Sequence, residues 1–236
     1  MVTSPNTKRT ALVTGAANGI GRAALIALRA DGLRTVGLDL SIPTGDGDFV
    51  EADVSSNTSV RDAVARVVSM VGKLDAVVNV AGILREGPFA EFSVADFDRL
   101  YAVNVRGTFL VSQTALPHIR PGGRIINVAS ELAYAGRATA VAYTATKGAI
   151  VSMTRSMARE LGPDILVNAV APGPTNTQLL AFDAMTPDQK AVEVNNPLRR
   201  IGRPEEAAAV ISFLASPRAT FITGQCYSVD GGAAMH

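Results

Sequence analysis

Residues 10–21, TALVTGAANGIG, give the clearest indication of the fold. The first part of this stretch, Thr10–Thr14, is a short run of apolar and β-branched residues that predicts a buried strand. Glycines follow at positions 15, 19 and 21, and a helical pattern begins at Gly19. A glycine-rich turn between a strand and a helix lets the backbone approach a phosphate, whose charge the helix N-terminus favours. The spacing differs from G-x-G-x-x-G, so the position of the turn in the chain carries the prediction.

The alternation of strand and helix continues along the whole chain. Continuous apolar runs, typical of strands buried on both faces, predict strands at Thr10–Thr14, 35–40, 49–52, 76–80, 124–128, 166–170 and Cys226–Val229. Longer patterns predict helices at Gly19–Ala30, 58–71, 94–115, 143–161 and 205–214. Residues 41–48 are rich in Gly, Pro and Asp, so we expect no helix between the second and third strands. We predict an α/β, single-domain Rossmann fold over residues 1–236, a doubly wound, seven-stranded parallel sheet with helices on both faces.

The composition excludes several classes of protein. Of the 236 residues, 47% are hydrophobic and 18% are charged, which excludes disorder. A net charge of +1 gives no field that would attract nucleic acid, and no apolar stretch approaches the roughly 18 residues of a membrane span. The polar first residues do not resemble a signal peptide, and a single cysteine fits a reducing compartment. We expect a cytoplasmic protein that binds neither nucleic acid nor membrane, and the acidic residues show no metal-ligand spacing.

A tyrosine and a lysine form the clearest candidate for chemistry. Tyr143 and Lys147 lie four residues apart in a predicted helix and therefore share a face, and Ser130 precedes Tyr143 by thirteen positions (143 − 130). A free tyrosine has a pKa of about 10, and a fixed positive charge nearby lowers it. We therefore expect Tyr143 to donate a proton near neutral pH. A tyrosine and a lysine at this spacing are also common on surface helices. The glycine-rich turn in the same chain is what favours a catalytic role for this pair.

An acidic residue ends the second predicted strand. The Asp39 carboxylate can accept hydrogen bonds from both hydroxyls of an adenosine ribose and would repel a 2′-phosphate. No arginine or lysine lies near it in this segment, so NAD is favoured over NADP. Asp39 could instead only cap a turn. After the third strand, Asp53 and Val54 lie where the adenine edge is expected.

Together these motifs resemble the short-chain dehydrogenase/reductase family over nearly the whole chain. TGAANGIG at residues 14–21 resembles the cofactor signature of the family, and Asn79-Val80-Ala81-Gly82 resembles its Asn-Asn-Ala-Gly motif, with one valine replacing asparagine. Pro172-Gly173, followed by Thr177, resembles the segment that contacts the nicotinamide. Residues 222–225 and 229–232 resemble the last strand and its flanks. The order and approximate spacing of the catalytic tetrad are matched by Asn104, Ser130, Tyr143 and Lys147.

The resemblance implies an NAD-dependent oxidoreductase that interconverts a secondary alcohol and a ketone by hydride transfer. Tyr143 would be the general acid or base, and Lys147 would hold the nicotinamide ribose and lower the tyrosine pKa. Ser130 would bind the substrate oxygen, and Asn104 would support a water-linked proton path. The implied cofactor-binding residues are Gly15, Asn18, Gly19, Ile20, Gly21, Asp39, Asp53, Val54, Asn79, Ala81, Gly82, Tyr143, Lys147, Pro172, Gly173, Thr175 and Thr177.

Three loops are candidate walls of a substrate pocket: residues 83–92, 131–137 and 175–200, the last a predicted lid that carries Leu180. Arg85 and Arg137 could clamp a carboxylate. Their segments are similar to those of 2,3-dihydro-2,3-dihydroxybenzoate dehydrogenases, which favours a cyclic or carboxylated hydroxy substrate. Both arginines could instead be solvated, with Arg85 paired to Glu86.

Two other functions remain open. One is a 3-oxoacyl-carrier-protein reductase, an activity that usually employs NADPH and for which arginines at 199, 200 and 203 could form a docking patch. The other is a non-enzymatic dinucleotide-binding regulator, which would be expected to lack the tyrosine or the lysine. The resemblance also implies a homo-oligomer, a tetramer. Its candidate contact residues, which could equally be core, are Val103, Val105, Phe109, Ala149 and Met153.

Overall fold

A computed structural model of the protein describes residues 8–43, 46 and 48–235. Its strands are β1 (Thr10–Thr14), β2 (Arg34–Asp39), β3 (Phe49–Glu51), β4 (Leu74–Asn79), β5 (Ile119–Val128), β6 (Ile165–Pro172) and β7 (Cys226–Val229). They form one seven-stranded sheet in the order β3-β2-β1-β4-β5-β6-β7, and every pair is parallel. The predicted α/β fold with its doubly wound sheet is confirmed.

The helices agree with the prediction at most positions. They are α1 (Gly19–Ala30), α2 (Asn57–Val71), α3 (Val94–Leu100), α4 (Thr108–Ala115), α5 (Leu132–Ala135), α6 (Val141–Leu161), α7 (Pro187–Glu193) and α8 (Pro204–Ala215). The single helix predicted at 94–115 is wrong, because a π-helical turn at Tyr101–Gly107 separates α3 from α4. The sequence missed α5 and α7, since helices of four and seven residues are too short to show a period.

The segment between β2 and β3 follows the prediction where it is described. Residues 40–43, 46 and 48 form no helix. The remainder of this predicted loop, residues 44, 45 and 47, and residues 1–7 of the polar N-terminal stretch lie outside the described residues. Within the described part of the chain, no helix is long and apolar enough to cross a membrane.

The sheet has a hydrophobic layer on each face. Leu12 of β1 packs in a cluster with α2 and α4, whereas its neighbours Ala11 and Val13 pack in a second cluster with α1 and α8. Successive side chains of a strand point to opposite faces, so a strand covered on both sides needs apolar residues at every position. This packing explains the continuous apolar runs of the sequence.

The strand order leaves a crevice beside β1. The chain proceeds outward from β1 to β2 and β3 on one side and to β4 and β5 on the other, and ligands of such sheets bind at this switch point. Thr14, the last residue of β1, ties the two sides together. Its hydroxyl oxygen accepts hydrogen bonds from the backbone N–H groups of Val80 (3.0 Å) and Ala81 (3.1 Å), which follow β4.

Candidate active site

A cavity of about 290 Å³ opens at the carboxyl ends of the central strands. Most residues predicted from the sequence line it, although they come from distant parts of the chain. The predicted residues in its wall are Gly15, Asn18, Gly19, Ile20, Gly21, Asp39, Asp53, Val54, Ala81, Gly82, Ser130, Arg137, Tyr143, Lys147, Pro172, Gly173, Thr175, Thr177 and Leu180. Three predicted residues, Asn79, Arg85 and Asn104, are not part of this wall.

The glycine turn has no room for side chains. Gly15 has φ +63°, and a Cβ atom there would lie 2.9 Å from both Cα and N of Ala81. A Cβ at Gly21 would lie 2.0 Å from the carbonyl oxygen of Gly15. A Cβ at Gly19, with φ +52°, would approach Thr177 Cγ2 to 3.1 Å. The backbone is therefore exposed to the cavity just where α1 begins, which fits the pyrophosphate of a dinucleotide.

Two carboxylates extend this side of the cavity. Asp39 Oδ2 accepts a hydrogen bond from the backbone N–H of Ala17 (2.9 Å), so Asp39 both braces the glycine turn and lines the cavity. The hydroxyl of Ser55 donates to Asp53 Oδ1 (2.6 Å) and holds the pKa of Asp53 below its usual value. Arg99, which the sequence analysis did not single out, also lines this side.

The tyrosine and the lysine face the cavity from α6. Lys147 Nζ lies 5.7 Å from the centroid of the Tyr143 ring. The ammonium group donates a hydrogen bond to the carbonyl oxygen of Val128 (2.8 Å), the last residue of β5, and its side chain is buried. Since Ser130 follows the same strand, β5 and α6 together place the three polar groups at one point of the wall.

The expectation that the pKa of Tyr143 lies below that of a free tyrosine is wrong for this structure. Burial, together with the negative charge of Glu131, raises the pKa of Tyr143, and a hydrogen bond with Ser130 offsets this only in part. Burial also lowers the pKa of Lys147 to about 8. In a buried site the loss of hydration of the phenolate outweighs the attraction of an ammonium group beyond direct contact. The phenol is therefore protonated at neutral pH and able to donate.

Glu131 is the main residue that the sequence analysis missed. Glu131 is 7% exposed and lines the cavity, and its carboxyl group accepts a hydrogen bond from Ser130 Oγ at 2.7 Å. Burial and the charge of Asp230 raise the pKa of Glu131. An acidic residue beside Ser130, three positions after a buried strand, was the available signal, because a carboxylate is seldom buried without a specific partner.

Asn104 contacts residues beside the cavity. It lies in the π-helical turn, where its Oδ1 accepts from the N–H of Ile83 (2.8 Å) and its Nδ2 donates to the Ile83 carbonyl (3.0 Å). The same Nδ2 lies 3.1 Å from the hydroxyl of Thr146, the residue before Lys147. The side chain thus joins the loop after β4 to α6.

Asn79 is placed away from the cofactor side. Its Nδ2 donates to Ser112 Oγ and to Asn127 Oδ1, both at 2.9 Å, inside the protein. The contact with a cofactor predicted from the motif is not supported by this position. The amide instead joins β4, β5 and α4 beneath the cavity.

The two arginines do not form a free carboxylate clamp. Arg85 is exposed, donates to the carbonyl of Leu84 (3.1 Å) and is not paired with Glu86. Arg137 lines the cavity, but it forms an ion pair with the buried Glu193 and lies 3.6 Å from Glu86 Oε1. Since Glu193 ends α7, this pair joins the predicted lid to the wall of the cavity.

In the part of the chain that the structure describes, the His, Cys, Asp and Glu side chains form no cluster of three or more that could hold a metal ion.

Comparison with known proteins agrees with this geometry. A family described as enoyl-(acyl carrier protein) reductase matches residues 15–234. The chain is 39% identical to a short-chain dehydrogenase/reductase of Armillaria gallica, covering 98% of this chain and 97% of the relative. It is 34% identical to a 3-oxoacyl-[acyl-carrier-protein] reductase of Thermotoga maritima, covering 94% and 96%. The crystal structure of a blue fluorescent protein from a metagenomic library, in complex with NADPH, has a TM-score of 0.89 and 32% identity, covering 98% and 100%.

Proposed function

The chain belongs to the short-chain dehydrogenase/reductase family, and we propose that it interconverts a secondary alcohol and a ketone by hydride transfer with NAD. One observation carries the proposal. Tyr143, Lys147 and Ser130 meet in the same cavity as the glycine turn, so a proton donor lies beside a dinucleotide cradle. A non-enzymatic regulator would need the glycine turn to bind a dinucleotide, but it would not need Tyr143, Lys147 and Ser130 beside it.

The residues of the chain would supply the proton and hold the substrate, while a bound nicotinamide supplies the hydride acceptor or donor. In reduction, the protonated phenol of Tyr143 donates to the carbonyl oxygen of the ketone. Lys147, charged below about pH 8, stabilises the phenolate that remains. The Ser130 hydroxyl lies beside the phenol and binds the same oxygen.

The cofactor side favours NAD. The turn at Gly15, Gly19 and Gly21 would hold the pyrophosphate, and the Asp39 carboxylate would accept from the adenosine ribose and repel a 2′-phosphate. The residues between the glycines, Ala16, Ala17 and Asn18, offer no positive charge to a phosphate. We expect kcat/KM for NADH to exceed that for NADPH by about tenfold or more, and a preference for NADPH would contradict the role given to Asp39.

The decisive experiment is removal of the phenol hydroxyl. Tyr143→Phe is expected to lower kcat by about 100-fold or more, while the Kd of NADH, measured by fluorescence, changes little. Tyr227→Phe is the matched control, because Tyr227 lies outside the cavity in β7. A panel of polyols, cyclic diols and 3-oxoacyl thioesters with both nicotinamides supplies the substrates. Retained turnover by Tyr143→Phe would remove the phenol from the mechanism.

A 3-oxoacyl-carrier-protein reductase is the second candidate, supported by the Thermotoga maritima relative. The surroundings of the arginines that could bind an acidic carrier protein argue against this candidate. Arg200 forms an ion pair with Glu206 (2.6 Å), and Arg203 lies 3.8 Å from the same carboxylate. A basic patch that is already paired attracts an acidic partner less strongly. Turnover of a 3-oxoacyl thioester with NADPH in preference to NADH would favour this candidate.

We also propose that the protein is a cytoplasmic homotetramer. Val105 of the π-helical turn, Phe109 of α4 and Met153 of α6 line an open surface groove, and Phe109 is 47% exposed. Exposed apolar grooves of this kind suit contacts between subunits. Val103 does not belong to this set, because it is buried in the core of its own chain. Light scattering would give the number of subunits.

A further inference from the structure

Glu131 is a buried carboxyl group in direct contact with a residue of the proposed mechanism. Its Oε2 lies 2.7 Å from Ser130 Oγ, and both side chains are buried in the cavity wall. Resting on the proposed function, we infer that Glu131 is a positioning residue that works in its protonated form and turns the Ser130 hydroxyl toward Tyr143 and the substrate oxygen.

The hydrogen-bonding capacity of Ser130 supports this inference. A serine hydroxyl has one proton to donate and two lone pairs to accept with. The backbone N–H of Leu132 donates to Ser130 Oγ (3.2 Å) and occupies one lone pair. An ionised Glu131 can only accept, so it takes the single proton of Ser130 and leaves none for a substrate. A protonated Glu131 can donate to the second lone pair, and the Ser130 proton is then free for Tyr143 and the substrate oxygen.

Two of the groups around Glu131 oppose its ionised form, and one favours it. Asp230 repels a carboxylate from the end of β7, and a phenolate on Tyr143 of α6 would do the same, whereas the Arg137 guanidinium after α5 attracts it. The Arg137 charge is shared with Glu193 and Glu86. An ionised Glu131 would therefore oppose a phenolate on Tyr143 as well as withhold the Ser130 proton. Both effects disappear when Glu131 is neutral.

A pH–rate profile tests the inference. The readout is kcat/KM for NADH-dependent reduction of cyclohexanone or acetoacetyl-N-acetylcysteamine from about pH 5 to about pH 9, using whichever ketone the wild type reduces. Wild-type activity is expected to fall as Glu131 ionises. Glu131→Gln should not show this fall, because its amide nitrogen can donate to Ser130 at every pH. Above the midpoint of the wild-type fall, the ratio of variant to wild type should rise about tenfold per pH unit.

Two features of the profile separate Glu131 from other groups. The loss of the Lys147 charge above about pH 8 affects wild type and variant alike. Glu86→Gln is the matched control. Glu86, like Glu131, lines the cavity and places a negative charge near Tyr143. The Ser130 hydroxyl, however, donates its hydrogen bond to Glu131. Glu86→Gln should keep the wild-type fall. Parallel profiles for wild type and Glu131→Gln would overturn the inference.

A second measurement needs no turnover. Infrared titration follows the band of a buried protonated carboxyl group, assigned by its loss in Glu131→Gln. Ser130→Ala should raise the midpoint of this band, because it removes the donor that stabilises the carboxylate. An unchanged midpoint would overturn the coupling of the two residues. If the midpoint shifts but the wild type reduces no ketone, the proposed function fails and the coupling stands.

Discussion

Gly15→Ala probes the glycine turn without requiring knowledge of the substrate. Gly15 has φ +63°, a conformation that costs an alanine about 1–2 kcal/mol. The new Cβ would also lie 2.9 Å from Cα and N of Ala81, about 0.5 Å closer than ordinary van der Waals contact. Ala81 cannot easily retreat, since its N–H is held by the Thr14 hydroxyl at 3.1 Å. We therefore expect the turn to move away from Ala81 and toward the cavity that Gly15 lines.

We therefore expect two separate losses in Gly15→Ala. Backbone strain and overpacking should lower the free energy of unfolding by about 2–3 kcal/mol. Displacement of the turn should raise the Kd of NADH at least about tenfold, which corresponds to about 1.4 kcal/mol. Urea denaturation measures the first quantity, and a fluorescence titration of NADH measures the second.

Gly32→Ala is the matched control. Gly32 has φ +84°, so its alanine bears a similar backbone strain, but a Cβ there would meet no atom within 4 Å. It follows α1 at the end opposite the turn. We expect about 1–2 kcal/mol of lost stability with unchanged NADH binding. Gly15→Ala binding NADH within about twofold of the wild type, or Gly32→Ala weakening binding equally, would show that the close contact of Gly15 with Ala81 does not shape the cofactor site.

Two further predictions concern buried polar groups. Asn79→Ala removes hydrogen bonds to Ser112 and Asn127, so it should lower the free energy of unfolding by about 2–3 kcal/mol in urea denaturation. NADH binding should change less than about threefold, and a large loss would restore Asn79 as a cofactor contact. Because burial lowers the pKa of Lys147 to about 8, a ¹³C-lysine NMR titration of the ligand-free protein should show a resonance that moves near that pH. Lys147→Arg assigns it, and a midpoint near the usual value of about 10.4 would show a hydrated ammonium group.

The features that could be predicted are determined by residues that lie close together in the sequence. Residues 10–21 contain a strand, the glycine turn and the start of a helix without a break, so the pattern carries both the element types and the phosphate cradle. Strands covered on both faces leave continuous apolar runs, which placed all seven strands. Tyr143 and Lys147 face one cavity because a four-residue spacing fixes the helix face regardless of the surroundings.

The remaining features depend on contacts between distant residues. Arg137 and Glu193 are 56 positions apart, so nothing local indicates that the guanidinium is already paired. The pKa of Tyr143 rises because burial and Glu131 outweigh the lysine charge, and burial cannot be derived from a four-residue spacing. Asn79 follows the family motif, yet an asparagine at a strand end serves equally well as a ligand or as a buried bridge between strands.

The π-helical turn at Tyr101–Gly107 explains why residues on one predicted helix stripe differ widely in exposure. Apart from Asn104, the residues at alternating spacings of three and four are apolar or small, and they would form one stripe of a regular α-helix. The residues of this stripe are Val94, Phe97, Tyr101, Asn104, Thr108, Val111 and Ala115. In the structure, however, Val94 is 74% exposed, while Val111 is 1% exposed.

A wider turn changes the rotational phase of the helix. Each α-helical residue advances by about 100°, so a π-helical turn, which takes up an additional residue, rotates everything after it relative to what precedes it. The later part of the stripe, in α4, is thereby directed into the core. The earlier part, in α3, is directed outward. A single heptad-like pattern thus serves two different surfaces, and the angular offset between them is set by the segment that also holds Asn104.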